Sequence, residues 1–153
     1  MTGWRIGWAL GPANVIAGMR KLQSQSTSNA CSVAQYAALE ALTGPQDEIR
    51  SMVAEFERRR DRMCALLADI PGVHVSVPGG AFYVMPRVAA FYGRRADVTD
   101  SVSLSAALLD EAGVAVVPGA PFGAPDHIRL SYACSMEDIE RGVAGIARFL
   151  DAL

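Results

Sequence analysis

The sequence predicts an α/β chain whose C-terminal part is a small α+β unit, a short antiparallel sheet packed by helices. Three observations carry this. Apolar residues recur at helical spacing through most of the stretch before Ile70; short alternating runs replace them beyond Pro71-Gly72; and Gly11-Pro12, Gly44-Pro45 and Pro71-Gly72 punctuate the changes. With 153 residues, about half of them apolar, the chain is the size of an ordinary domain and can bury a core.

The opening run, Met1 to Gly11, alternates: Trp4, Ile6 and Trp8 fall on one face of an expected strand, and Gly3, Arg5, Gly7 and Ala9 on the other. That strand has no partners nearby in sequence, so upstream residues are expected to complete it. Gly11-Pro12 then starts a helix through about Gln25, with Val15, Ile16, Met19 and Leu22 on one stripe. The polar run Ser24 to Asn29 offers a cap to an alanine-rich helix ending near Leu42. From Gln46 to Ile70 the apolar residues Ile49, Val53, Phe56, Met63, Leu67 and Ile70 predict a helix about 35 Å long at the usual rise. Arg60 falls on that stripe, as a snorkelling side chain or an ion pair.

After Pro71-Gly72, Val73-Val77 and Ala81-Met85 read as a hairpin joined by Pro78-Gly79-Gly80. A helix near Ser101 to Ala112 stopped by Gly113, a strand Val114-Val117, a loop to Asp126, a strand His127-Ala133 and a last helix from Met136, capped by Ser135 with Asp138, complete the chain. The organisation is therefore 1–45, a linking helix at 46–70, and the α+β unit at 71–153.

Two arginines stand out. In the penultimate element Ile128, Leu130 and Tyr132 point one way and Arg129, Ser131 and Ala133 the other; Arg5 has the same relation to Trp4 and Ile6. A guanidinium on such a face suits a bidentate carboxylate or phosphate, or else a protein carboxylate. The net charge of −2, with scattered arginines, argues against nucleic acid and membrane as partners. No apolar run reaches a membrane span and no signal-peptide layout is present, so a cytoplasmic location is expected. Cys31, Cys64 and Cys134 form no C-x-x-C pair, so no metal is expected and the thiols are read as reduced and mostly buried. His74 and His127 are taken as surface or structural residues. Of the lysine and arginine side chains every one but Lys21 is an arginine, leaving one candidate for lysine chemistry.

Met1-Thr2-Gly3-Trp4-Arg5-Ile6-Gly7-Trp8, Gly79-Gly80-Ala81-Phe82-Tyr83, Val116-Val117-Pro118-Gly119 with Phe122-Gly123, and Arg129-Leu130-Ser131-Tyr132-Ala133 together resemble the C-terminal half of class I/II aminotransferases, pyridoxal-phosphate enzymes of the aspartate aminotransferase fold (fold type I). The resemblance runs over essentially the whole chain. It implies that 1–45 is the end of a large cofactor domain, that Arg5 grips the phosphate of pyridoxal phosphate, and that Arg129 clamps the α-carboxylate of an amino-acid substrate. It implies transfer of the amino group to a 2-oxo acid in amino-acid metabolism, and a homodimer. By the resemblance the family's Schiff-base lysine stands about eight residues before the phosphate arginine, which places it upstream of Met1; no catalytic residue is assigned in this chain, and Lys21 is out of register. By the resemblance Thr27, Ser28 and Asn29 reach toward a neighbouring subunit and Phe82 and Tyr83 lie at the substrate mouth; by their own chemistry they cap a helix and fill a hairpin core. Ser24 stands about where one aspartate-specific branch has an arginine for the distal carboxylate.

Three readings stay open: the C-terminal part of an aminotransferase for aspartate-type or aromatic amino acids, inactive alone; a non-catalytic carboxylate-binding or interaction module; and another activity of the same fold, such as a lyase.

Overall fold

Helices form close to where periodicity and punctuation place them. The computed structural model describes residues 1–153, the side chain of Thr2 excepted, and divides into two units, Met1–Arg50 and Ser51–Leu153.

In the first unit, helix α1 (Ala13–Ser26) opens on Pro12, whose carbonyl accepts from the N–H groups of Val15 at 3.0 Å and Ile16 at 3.1 Å. Helix α2 is Ser32–Thr43. Its cap differs from expectation: Cys31 takes the N-cap position without a side-chain hydrogen bond, while Ser26 bonds back into α1 and Ser28 adopts a left-handed φ of 64°. The polar run spends its hydrogen bonds on ending α1 rather than starting α2. The expected opening strand is absent as well. Thr2–Trp4 form a 3₁₀ turn closed by Trp4 N–H to Met1 O at 3.1 Å, and Arg5, at φ 51°, lies in the left-handed region where an extended run stops. Trp4 and Trp8 are exposed instead of forming a buried face.

The second unit holds the core. Most of helix α3 (Asp47–Ala68) belongs to it, and its last turns bury Met63, Cys64 and Leu67. Ile49 and Val53, on the same predicted stripe, stay exposed, as does Met52 beside them in sequence. Arg60 is mostly buried; it pairs with Asp61 at 2.8 Å and donates to Pro78 O at 3.5 Å. Helix α4 (Ser101–Ala112) begins on Asp100, whose carboxylate accepts from the N–H groups of Val102 and Ser103, with the Ser103 hydroxyl returning to Asp100 N–H. It ends at Gly113, at φ 65°, whose N–H reaches back to Leu108 and Leu109. Helix α5 (Met136–Asp151) starts on Ser135, which accepts from Asp138 N–H as the sequence predicts, and turns Ile139, Val143, Ile146 and Leu150 inward. An ion pair from Arg62 to Glu140 at 2.7 Å ties α3 to α5.

These helices pack on a three-stranded antiparallel sheet in the order β1 (Tyr83–Val84), β3 (Ile128–Ser131), β2 (Val117–Pro118). The predicted 73–77/81–85 hairpin does not form. Tyr83 and Val84 pair with Ser131 and Leu130, while the first half of the expected hairpin contributes one bridge, His74 to Arg87. The central strand β3 takes both neighbours, and a left-handed φ of 66° at Ala81 ends the extended run of Tyr83 on its N-terminal side. The predicted strand 114–117 survives only at its end, in β2. Of the cysteines, Cys64 is buried, Cys134 half-buried and Cys31 exposed, so burial of the thiols is the exception rather than the rule. Among the described residues no helix is long and apolar enough to cross a membrane.

Two predictions concern stability. A Cβ at Gly119 would collide with the carbonyl oxygens of Ala124 and His127, whereas one at Gly79 meets nothing within 4 Å. Gly119→Ala is expected to cost about 1–3 kcal/mol in urea unfolding, and Gly79→Ala well under that. Glu55 accepts from Arg58 at 2.9 and 3.0 Å and from Arg59 at 2.6 Å; these bonds, Arg58's first, hold its carboxyl down from 4.5 to about 2. A depressed folded-state value stabilises above the unfolded one and is lost as pH falls. Acid unfolding of the parent should therefore steepen between about 4.5 and 2, relative to Glu55→Gln, and chemical-shift titration of Glu55 reads the same window directly.

Candidate functional site

β3 sorts its side chains by alternation. Ile128, Leu130 and Tyr132 are buried in the core, Arg129 is half-buried and Ser131 is exposed. The alternation read from the sequence is therefore present here, and it aims Arg129 away from the core.

What surrounds Arg129 comes from the two flanking strands. Tyr83 arrives on β1, paired to Ser131, and the Arg129 guanidinium carbon lies 5.2 Å from its ring centroid. Phe122 arrives from the other side: after β2, Gly119 turns the chain tightly, its N–H donating to His127 O at 2.8 Å, and the 3₁₀ turn Ala120–Phe122 brings the Phe122 ring to 4.7 Å from the guanidinium carbon. The side chain thus sits against two aromatic faces, which stabilise a cation through their quadrupoles. It makes no ion pair among the described residues, in contrast to Arg58, Arg62, Arg87 and Arg95, each matched to a carboxylate. A guanidinium held by rings keeps its N–H edges for a planar anion, which it binds in bidentate fashion. Phe82 packs edge-on to Tyr83 at 5.5 Å and extends the aromatic cluster.

Arg5 belongs to the first unit, exposed, with Gly3 and Gly7 on either side of it in sequence and open space where either glycine's Cβ would stand. Its left-handed backbone is an uncommon conformation for a residue with a side chain. Lys21 is exposed on α1, where its carbonyl accepts from the Ser24 hydroxyl. Thr27 to Asn29 are exposed. His127 is half-buried, with its Nδ1 enclosed and lacking a hydrogen-bond partner. Among the described residues no group of three His, Cys, Asp or Glu could hold a metal ion.

Sequence reasoning singled out Arg129 but did not foresee the role of Phe122. The signal was the pair of glycines, Gly119 and Gly123, which bracket a turn short enough to return the ring to β3. Asp100 was also missed, although Asp-x-x-Ser before an apolar run marks a helix start.

Residues 1–146 match the family described as aminotransferase class I and II. The chain is 47% identical to an aspartate/prephenate aminotransferase of Cereibacter sphaeroides, with 100% of the chain and 39% of that protein covered. It is 49% identical to an aspartate aminotransferase of Geobacillus stearothermophilus, covering 99% and 38%. Among solved structures, the aspartate aminotransferase from Rhizobium meliloti matches with a TM-score of 0.88 at 40% identity, covering 99% of the chain and 39% of that one. An aromatic aminotransferase from Pyrococcus horikoshii matches at 0.85 and 34% identity, over 99% and 40%. The chain therefore spans about two-fifths of the length of the relatives it matches.

The aromatic faces on Arg129 generate a measurable coupling. A double-mutant cycle of Arg129→Met with Phe122→Leu, followed by urea unfolding, is expected to return about 0.5–1 kcal/mol. A value indistinguishable from zero would show that the ring only borders the guanidinium.

Proposed function

The chain belongs to the class I and II aminotransferase family, and from that premise we propose that it serves the pyridoxal-phosphate-dependent transfer of an amino group from an aspartate-type or aromatic amino acid to a 2-oxo acid. The observation that carries this reading is Arg129, cationic and ring-supported, with no protein carboxylate on it among the described residues. Relatives named for aspartate and prephenate, for asparagine and oxo acids, and for aromatic amino acids agree with it in substrate class.

In this reading Arg129 takes the α-carboxylate through two parallel N–H bonds, which fixes how the substrate's Cα–H bond is presented. Tyr83 and Phe122 keep the guanidinium from turning, and their faces favour an aromatic or flat side chain beside it. Arg5 takes the phosphate of the cofactor; the open space at Gly3 and Gly7 leaves room for a bulky anion, and in that respect the residues fit the group. Pyridoxal phosphate, when bound, supplies an electron sink for the pair released at Cα. Lys21 lies on α1, well past Arg5 in sequence, and no catalytic role is assigned to it; the Schiff-base lysine of the complete enzyme is proposed to stand before Met1. A cytoplasmic homodimer is proposed for that enzyme.

The exposure of Lys21, the one side-chain amine, favours a second reading, in which the chain alone binds carboxylates without catalysis. Two ligands separate the parts of the proposal. Succinate, followed by chemical-shift titration, is expected to bind the chain and to lose tenfold or more in affinity in Arg129→Ala, since a charge-assisted bond contributes about 1.5–3 kcal/mol. Pyridoxamine phosphate is expected to bind weakly and to be released by Arg5→Ala; equal binding by both proteins sinks the phosphate assignment.

A further inference from the structure

We infer that Tyr132 is a positioning residue for the carboxylate site: its hydroxyl, donating to the Ala81 carbonyl at 3.1 Å, holds the 78–82 loop in the shape that lays the Tyr83 ring on Arg129. The inference deepens, and rests on, the reading of Arg129 as a carboxylate clamp.

The 78–82 loop is held by a few hydrogen bonds rather than by packing. Gly79 and Gly80 are exposed, with open space on each, and the loop borders a cleft of about 340 Å³ lined also by Phe56, Arg60, Phe82 and Tyr132. Packing therefore does not fix its path. Its backbone is strained, because Ala81 carries a φ of 66°, a conformation that a residue with a Cβ leaves unless something over-determines it. The tethers all come from the end of β3 and from α3. Tyr132 N–H donates to Phe82 O at 2.9 Å, the Ser131 hydroxyl donates to the same oxygen at 3.3 Å, and Arg60 reaches Pro78 O at 3.5 Å.

Of these, the Tyr132 hydroxyl alone bonds the strained residue itself. Tyr132 is almost fully buried, tilted against Phe56 with ring centroids 6.2 Å apart, so its hydroxyl has one orientation to offer. A phenol is protonated at neutral pH in any case, so the hydroxyl is a donor there, and burial pushes its pKa further up. Ala81 is two residues before Tyr83, and Tyr132 three after Arg129. Beside the β1–β3 ladder and the two bonds to Phe82 O, this hydrogen bond ties the strained residue itself to the end of the strand bearing the cation, and the tether sets how squarely Tyr83 backs the guanidinium.

The test uses the chain with Tyr132→Phe, which keeps the ring and removes the hydroxyl, and the same variant with Ala81→Gly, which adopts the left-handed shape without help. The first readout is the Arg129 Nε–H resonance, assigned by its loss in Arg129→Lys and shifted upfield by the rings. The second is succinate affinity. Tyr132→Phe is expected to relax the upfield shift and to weaken succinate about tenfold, with both recovering substantially on adding Ala81→Gly. An unmoved resonance in a folded Tyr132→Phe protein overturns the inference, as does a relaxed resonance that Ala81→Gly leaves unrestored. Succinate binding that survives Arg129→Ala overturns the clamp reading, while the resonance still decides whether the tether exists.

Discussion

Arg129 is held in place by the residues on either side of it. Ile128, Leu130 and Tyr132 are buried between the helices, and β3 lends its backbone to β1 on one edge and β2 on the other. A central strand with both edges paired cannot slip by one residue without exchanging its core face for its outer one. That constraint fixes which way the guanidinium points, and the pairing of Tyr83 with Ser131 and of Val117 with Arg129 then delivers the two aromatic neighbours. The helices answer to the same strand: Ile139, Val143 and Ile146 of α5 and Leu104 and Leu108 of α4 form the cluster that buries its inner side chains.

The parts of this arrangement that were legible in the sequence are those decided locally. Helix positions follow from a 3.6-residue period and from punctuation such as Pro12, Gly113 and Ser135, and the inside–outside order of β3 follows from alternation. Partner choice between strands is not local. Val73–Val77 and Ala81–Met85 satisfy a hairpin pattern, yet Tyr83 and Val84 find better company in β3, reached only after the chain has passed through α4. Alternation also says nothing about φ. Trp4, Ile6 and Trp8 alternate as a strand does, but Arg5 occupies a left-handed conformation, and no period in the sequence encodes that. At the site, the cation was visible and Tyr83 was placed at the substrate mouth by resemblance, while the support from Phe122 was not visible, because that ring reaches Arg129 through a turn and a register rather than a motif.

The two units differ in how they treat apolar surface. The second gathers its large side chains into one cluster; the first leaves Trp8, Leu10, Leu22 and Tyr36 in the open and buries little beyond Ala34. Large apolar side chains left exposed in this number favour association. The lowered solubility expected of the isolated chain would come from the first unit, and mutations that improve it are best placed there.

The near-absence of lysine has a practical consequence of its own. Lys21 is exposed on α1 and is the one side-chain amine the chain possesses, so an aldehyde or an activated ester has a single side-chain address. A yellow colour raised by an aldehyde ligand therefore comes from Lys21 on α1 or from the α-amine of Met1, and Lys21→Arg separates the two. A fluorophore placed on Lys21 will watch the first unit.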